Sequence, residues 1–302
     1  MKMNRLKPVD RNIKKRRYLF LFYIYFSQNK ILSTPFESCL HFNCENNPLP
    51  AENDHLDIVS IAFNSPLAIE LQIKQLKKHF KGISYSYYVA DNSTDAVERE
   101  KIEHICKEHN VGYFRIPKNK ELDRKRNGSY SHGAALNWAY YRFLKPRNAK
   151  YFGVLDHDIF PTKDLDFKEK IAFNCYYGRL RIDASGFYYL WPGISFWESS
   201  AISELKVNFL PCKIDDIYLD TGGSFWPIFF EKIPYKEIQM PLFYRVPLNE
   251  IGYNNSNYVE FFDDCWFHAK YTGRKMDDVQ LIEEIIKNSD DIRKNLPKKW
   301  VE

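Results

Sequence analysis

Paired cysteines are missing from this 302-residue chain: its six, at positions 39, 44, 106, 175, 212 and 265, form no Cys-x-x-Cys pair. Dense, paired spacings would mark a secreted disulfide scaffold or a zinc module, so scattered thiols point to a reduced, cytoplasmic protein. Long apolar runs are missing too. The nearest is Tyr18-Leu-Phe-Leu-Phe-Tyr-Ile-Tyr-Phe26, nine residues, where a helical bilayer span takes about twenty. No small-residue cleavage site follows it at the place a signal peptide needs. There is no internal repeat, and no linker after Asp57. The body also lacks a basic excess: net charge is +5, but residues 1–17 hold eight Lys/Arg and one Asp, leaving −2 for residues 18–302. Nucleic-acid binding through a basic folded body is therefore not expected.

What is present is a globular composition, with 44% hydrophobic, 27% charged and 17% aromatic residues. The basic run and the aromatic stretch behind it suggest two readings of residues 1–26: a buried strand or extension, or peripheral attachment to a membrane surface. In the second, Lys/Arg meets anionic headgroups while Phe/Tyr settles at the interface. Ser33 to Asp54 carries Pro, Asn and Glu without periodicity and reads as a linker, so residues 1–54 form an extension and 55–302 the folded domain.

From Asp57 the pattern alternates. Asp57 to Asn64 is a short apolar run ending in a polar residue, as in a buried parallel strand. Pro66 then opens a helix whose Ile69, Ile73, Leu76 and Phe80 share one face. Tyr85–Ala90 is a second strand, closed by Asp91-Asn-Ser-Thr-Asp95, which caps a helix over about Ala96–His109. Val111–Pro117 is a third strand. Lys118–Tyr130, with Arg124-Lys-Arg126 and Asn127-Gly128, is a surface loop, and Ser131 caps the next helix. Tyr151–Leu155 is a fourth strand delivering Asp156-His-Asp158. Beyond it lie aromatic strands over Phe187–Trp197 and Met240–Tyr271, and a last helix over Asp277–Asn295. Strands alternating with helices predict an α/β fold with a mostly parallel central sheet covered by helices. Ligands in such sheets bind at the carboxyl ends of the strands, where Asn64, Asp91 and Asp156 fall. Two carboxylates one residue apart after an apolar strand suit a hard divalent cation, Mg2+ or Mn2+.

Taken in order, Ile58-Val-Ser-Ile-Ala-Phe-Asn64, Asp91-Asn-Ser-Thr-Asp95, Ser131-His-Gly-Ala-Ala-Leu-Asn-Trp138, Val154-Leu-Asp-His-Asp158, Leu219-Asp-Thr-Gly-Gly223 and Trp266-Phe-His268 resemble the GT-A glycosyltransferases, particularly family 2-like inverting enzymes. The likeness covers roughly residues 57–272. It implies a Rossmann-like GT-A fold with a donor half at about 57–160 and an acceptor half at about 161–275. The partners implied are a UDP-, GDP- or dTDP-sugar donor and a glycan or lipid-linked acceptor. Asn64, Asp91 and Asn92, with Asp95, would hold the base and ribose; Ser131, His132 and Asn137 would face the nucleotide and donor. Asp156 would bind ribose and metal, and Asp158 with His268 would hold Mn2+ or Mg2+ against the diphosphate, with Arg124–Arg126 adding positive charge.

Asp220 is the candidate base for an inverting single displacement, with Asp215, Asp216, Asp263 and Asp264 as competitors and a plain capping role as the alternative. The family's commoner pattern at that place is a Glu-Asp pair, where this chain has Leu219-Asp220. Tyr188, Trp191 and Trp197 would line the acceptor site, although most such aromatics are core. Two other classes stay open: a haloacid-dehalogenase-like phosphatase using Asp156 and Asp158 as nucleophile and acid/base, and a catalytically silent binding module on the same fold. A sugar-nucleotide pyrophosphorylase should have a Gly-rich, Arg-bearing loop after its first strand, and Asn64-Ser-Pro66 has none.

Overall fold

A computed structural model describes residues 24–44, 48–49, 54–120, 122, 128–172, 174–182, 186–214, 216–227, 243–253, 257–270 and 276–295. The basic run 1–17, residues 124–126, Asp215 and residues 228–230 lie outside the described residues.

The main sheet begins with β1 (His41–Phe42), β2 (His55–Ala62), β3 (Ser84–Asp91), β4 (Gly112–Arg115) and β5 (Tyr151–Asp156). After β5 the chain turns through His157 and Asp158 into β6 (Ile159–Pro161), which leaves for a second sheet. It returns through β7 (Tyr176–Ile182) and β8 (Tyr188–Glu198). Strand order in the main sheet is β1-β4-β3-β2-β5-β8-β7. The β2/β3, β2/β5 and β3/β4 pairs are parallel, and β1, β8 and β7 add on antiparallel. The fold is thus α/β with a central parallel sheet, as the alternation predicts.

β2 runs through the middle and is buried along nearly its whole length, as a strand covered on both faces must be. Helices α1 (Pro66–His79) and α2 (Ala96–Glu108) follow β2 and β3, and α3 (Gly128–Ala139) precedes β5. Pro66 stands at the first helical turn of α1, where its missing N–H costs nothing. Asp95 caps α2 by accepting from the Val97 and Glu98 N–H groups. Two apolar clusters sit on the two faces of the sheet, one around Val59, Phe114, Trp138 and Phe143, the other around Ile58, Ile69, Val89 and Phe196.

The second sheet, ordered β9-β10-β11-β6, is built from β9 (Phe243–Pro247), β10 (Tyr258–Phe262), β11 (Trp266–His268) and β6. Its third cluster, with Phe160, Phe261 and Phe267, is covered by α4 (Met276–Lys287).

Three expectations are corrected. The segment read as a linker joins the fold: β1 pairs with β4, and Phe36 is buried against Phe114, Trp138 and Phe143. Ser131 does not cap a helix, because α3 starts at Gly128 and Ser131 lies inside it. The last helix is two, α4 and α5 (Ser289–Lys294), broken at Asn288. In the stretch expected to be membrane-binding or buried, Ile24 is buried while Tyr25 and Phe26 stand out at 65% and 61% exposure.

Candidate functional site

The Asp156-His-Asp158 turn closes β5, the strand beside β2, and three contacts pin it. Gln72, wholly buried on α1, donates from Nε2 to the carbonyls of Asp156 (2.8 Å) and Ile159 (2.6 Å). Its Oε1 accepts from Ser60 Oγ (2.5 Å) and Tyr87 Oη (2.6 Å), so a buried amide is satisfied at both ends. His157 Nδ1 lies 3.2 Å from the Ile61 carbonyl, and the Ala269 N–H donates to the Asp158 carbonyl at 2.9 Å.

That last bond follows from the β6/β11 ladder, which sets His268 opposite Ile159. Two residues far apart in sequence therefore meet: His268 Nε2 lies 3.5 Å from Asp158 Oδ2. On its other side His268 Nδ1 is 2.8 Å from Glu260 Oε2. Glu260 is only 2% exposed and also pairs with Arg179 (2.6 Å), Arg245 (3.3 Å) and Lys270 (3.5 Å). Burial alone would raise the Glu260 pKa, but the His268 bond and the charges of His268, Arg179 and Arg245 outweigh it and bring it to about 2. Burial would likewise lower that of His268, yet Asp158 and Glu260 raise it to about 10. Asp158 is held below the usual carboxylate range, the His268 charge outweighing burial. Lys270 moves the other way, to about 8, through burial and the charges of Arg245, Arg179 and Arg181.

Trp191 forms the wall. Its ring lies 5.3 Å from the His268 ring, with the Arg179 and Arg181 guanidinium carbons 5.3 and 5.0 Å from its centroid. Gly193 has to be glycine here, since a Cβ would come within 2.1 Å of the Trp191 ring. Arg181 Nη1 then donates to Asp220 Oδ2 at 2.7 Å. Burial would raise the Asp220 pKa, but bonds from Ser129 and Arg181 and the Arg181 charge lower it. A chain of contacts thus runs from Asp158 through His268, Trp191 and Arg181 to Asp220.

The other expected site residues divide. His132 Nε2 approaches Asp156 Oδ1 at 3.1 Å, off the direction of a hydrogen bond, with both side chains part-exposed. Asn92 donates to Ser131 Oγ at 3.1 Å and accepts from Lys118 Nζ at 3.1 Å, which gathers a serine, an amide and a cation at the sheet edge. Asp91, by contrast, is wholly buried, accepting from the Ser93 N–H and the Tyr113 hydroxyl at 2.8 Å each. It fastens the loop after β3 from within. Asn64 spends its Oδ1 on the Thr94 and Asp95 N–H groups (2.9 and 3.0 Å), stitching the loops after β2 and β3. Asn137 is fully buried and holds the segment at Asn208 and Phe209 through bonds of 2.9 and 2.8 Å. Trp197 is core, packed against Phe225, and lines no cleft.

Of the competitors for Asp220, Asp263 is occupied by Tyr177 and Lys170, and Asp216 by Lys213. Sequence reasoning missed Gln72, Glu260, Arg179, Arg181 and Arg245. Arg179-x-Arg181 carried a usable signal, since residues two apart on a strand share a face. A cavity of about 310 Å3, lined by Asn43, Ile73, Lys77, Tyr85 and Gly112, lies at the opposite, amino-terminal edge of the strands and contains none of these groups.

No group of three or more His, Cys, Asp or Glu disposed to hold a metal ion occurs among the described residues. Asp158 and His268 offer two ligand atoms 3.5 Å apart, a spacing open to two ligands that each bind at about 2.1 Å, once a cation displaces the proton that the ring carries without it. Glu260 on Nδ1 orients the ring as a carboxylate does behind a ligating histidine. Ions of the Mg2+ type take one or two carboxylates and complete their shell with substrate phosphate and water. The residues therefore fit a cation shared with a bound phosphate, not one caged by protein.

Neither a family profile nor a curated protein matches the sequence. Among solved structures, the mannosyltransferase PcManGT from Pyrobaculum calidifontis, in complex with GDP-Man and Mn2+, aligns with 62% of this chain and 54% of its own at 11% identity and TM-score 0.34. The galactosyltransferase LgtC, in complex with donor and acceptor sugar analogues, aligns with 47% and 57% at 15% identity and TM-score 0.34. For the S. cerevisiae mannosyltransferase Ktr4p the figures are 67%, 69%, 13% and 0.35. The chain spans a little over half the length of the first two. All three of these solved structures are glycosyltransferases.

Proposed function

We propose that the chain is a glycosyltransferase of GT-A type, moving a sugar from a nucleotide-diphosphate donor to a hydroxyl of a glycan or lipid-linked acceptor. The observation that carries this reading is the meeting of Asp158, at the carboxyl end of a central parallel strand, with His268 from a second sheet. That edge is where such sheets bind ligands.

Asp158 and His268 would hold Mn2+ or Mg2+, with Asp156 and His132 beside it. Such a cation supplies charge neutralisation for a departing diphosphate. Asp220 is the base: its carboxylate takes the acceptor proton as the hydroxyl oxygen bonds to the anomeric carbon and the bond to the diphosphate oxygen breaks, which inverts that carbon. Arg181 keeps Asp220 ionised and aimed. The same pairing weakens its basicity, so the acceptor has to displace part of that contact. Asn92, Ser131 and Lys118 are the polar groups best disposed toward the nucleotide.

No helix among the described residues is long and apolar enough to cross a membrane. The exposed Tyr25 and Phe26, directly behind the +7 of residues 1–17, support peripheral contact of a cytoplasmic protein with anionic lipid. Titration of the purified chain with Mn2+ and UDP-, GDP- and dTDP-sugars, following thermal shift and slow donor hydrolysis, tests the main reading. Hydrolysis of a phosphomonoester without any response to nucleotide sugars would replace it with the phosphatase reading.

A further inference from the structure

Glu260 is a single carboxylate shared by four cationic side chains. Its Oε2 accepts from Arg179 Nη1 at 2.6 Å and faces His268 Nδ1 at 2.8 Å. Its Oε1 lies 3.3 Å from Arg245 Nη2 and 3.5 Å from Lys270 Nζ. Arg181 stands on the same face of β7 as Arg179 and is taken by Asp220. Each guanidinium carries about five donors and a carboxylate only about four acceptor positions, so N–H donors far outnumber the oxygens offered. The Arg245 Nε atom is buried with no hydrogen-bond partner among the described residues.

Aromatic faces fix the planes of these forks in advance. Arg179 lies 3.8 Å from the Phe243 centroid and Arg245 4.7 Å from that of Tyr258, whose hydroxyl accepts from Lys270 Nζ. Arg181 and Arg245 remain 30% and 40% exposed, which leaves the cluster accessible from solvent. Like charges brought this close repel unless an anion sits among them, and the planar fork matches an anion that has several oxygens.

We propose that Arg179, Arg181, Arg245 and Lys270 bind a phosphate group of a substrate between His268 and Asp220. Two sources carry that chemistry, the diphosphate of a nucleotide sugar and a phosphate on the acceptor; the proposal rests on the glycosyltransferase reading only in naming them. A phosphate here takes up guanidinium donors that the two carboxylates do not match, the buried Arg245 Nε among them.

The test is calorimetric titration of the full-length chain with inorganic pyrophosphate and with inorganic phosphate, in EDTA so that no divalent cation contributes. Wild type should bind pyrophosphate, and Arg245→Gln and Arg181→Gln should each bind about tenfold or more weakly with unchanged circular dichroism. Arg181→Lys, which keeps the charge and loses the fork, should fall between. Undetectable binding to wild type, or equal affinities in all four proteins, overturns the proposal. UDP and GDP titrated in the same way identify the source: a parallel loss assigns the site to the donor, whereas unchanged affinity assigns it to the acceptor. If pyrophosphate binds but no nucleotide sugar does, the transfer reading fails and this site stands. Nucleotide-sugar turnover with unchanged KM values in both glutamine variants means the reverse.

Discussion

Replacing Glu260 with glutamine keeps the shape of the side chain and removes the one negative charge around which Arg179, Arg245, Lys270 and His268 are gathered. Removing one partner of a buried ion pair costs about 3–5 kcal/mol, chiefly because the remaining charge stays buried. Glu260 is 2% exposed, Arg179 13% and Lys270 16%, but Arg245 at 40% can turn to water, which puts the expected loss at the lower end, about 3 kcal/mol. For a chain of this size that is roughly 5 °C in Tm. The pH dependence follows from the signs. Glu260 has a folded pKa of about 2, below its ordinary 4.5, so its contribution is complete above about 4.5 and is lost as pH falls toward 2. His268 has a folded value of about 10, above its ordinary 6.5, so its contribution is complete below 6.5 and is lost as pH rises through 10. The gap between wild type and Glu260→Gln should therefore be widest between about pH 4.5 and 6.5, read by thermal melts in EDTA. A variant that melts within about 1 °C of wild type in that window would refute the clustering of cations on Glu260.

Further expectations concern the turn, the amino-terminal segment, the base and the tail. Gln72→Leu strands the carbonyls of Asp156 and Ile159 and should lower metal-dependent turnover more than it lowers Tm; a purely thermal effect would deny it a positioning role. Phe36→Ala should cost about 3–5 kcal/mol in urea unfolding, since its ring packs on three buried aromatics; a loss under about 1 kcal/mol would return residues 33–42 to the status of a linker. Asp220→Asn should reduce transfer about a hundredfold or more without weakening donor affinity, since the freed Arg181 can only favour an anion; weakened donor binding would reassign the residue. Replacing Tyr25 and Phe26 with serine should reduce co-sedimentation with vesicles containing phosphatidylserine, and unchanged sedimentation would remove them from membrane contact.

The parallel core was legible because apolar runs bounded by polar residues leave few alternatives to buried strands, and β2, β3, β4 and β5 fall within a few residues of their expected places. The approach of His268 to Asp158 was legible for a different reason: both ends belonged to recognisable pieces, although only the ladder between β6 and β11 brings them together. Asn64, Asp91 and Asn137 show where residue type alone does not separate two roles: stitching a loop and binding a ribose call for the same donors and acceptors, and the bonds described for all three are internal. β1 was hidden for want of periodicity, being two residues long at a sheet edge. Of the arginine cluster only the Arg179-x-Arg181 pair was legible; that Arg245 joins it could not be seen, since β7 and β9 are distant in sequence and meet only through Glu260 on β10.

Release of nucleoside diphosphate from UDP-, GDP- and dTDP-sugars in Mn2+, compared between wild type and Asp158→Ala, decides whether this chain transfers a sugar through a metal held at the end of β5. The expected result is slow, metal-dependent release from at least one donor by wild type, and none by a folded Asp158→Ala protein. Equal release by both proteins, or none by wild type while a phosphomonoester is hydrolysed, would contradict it.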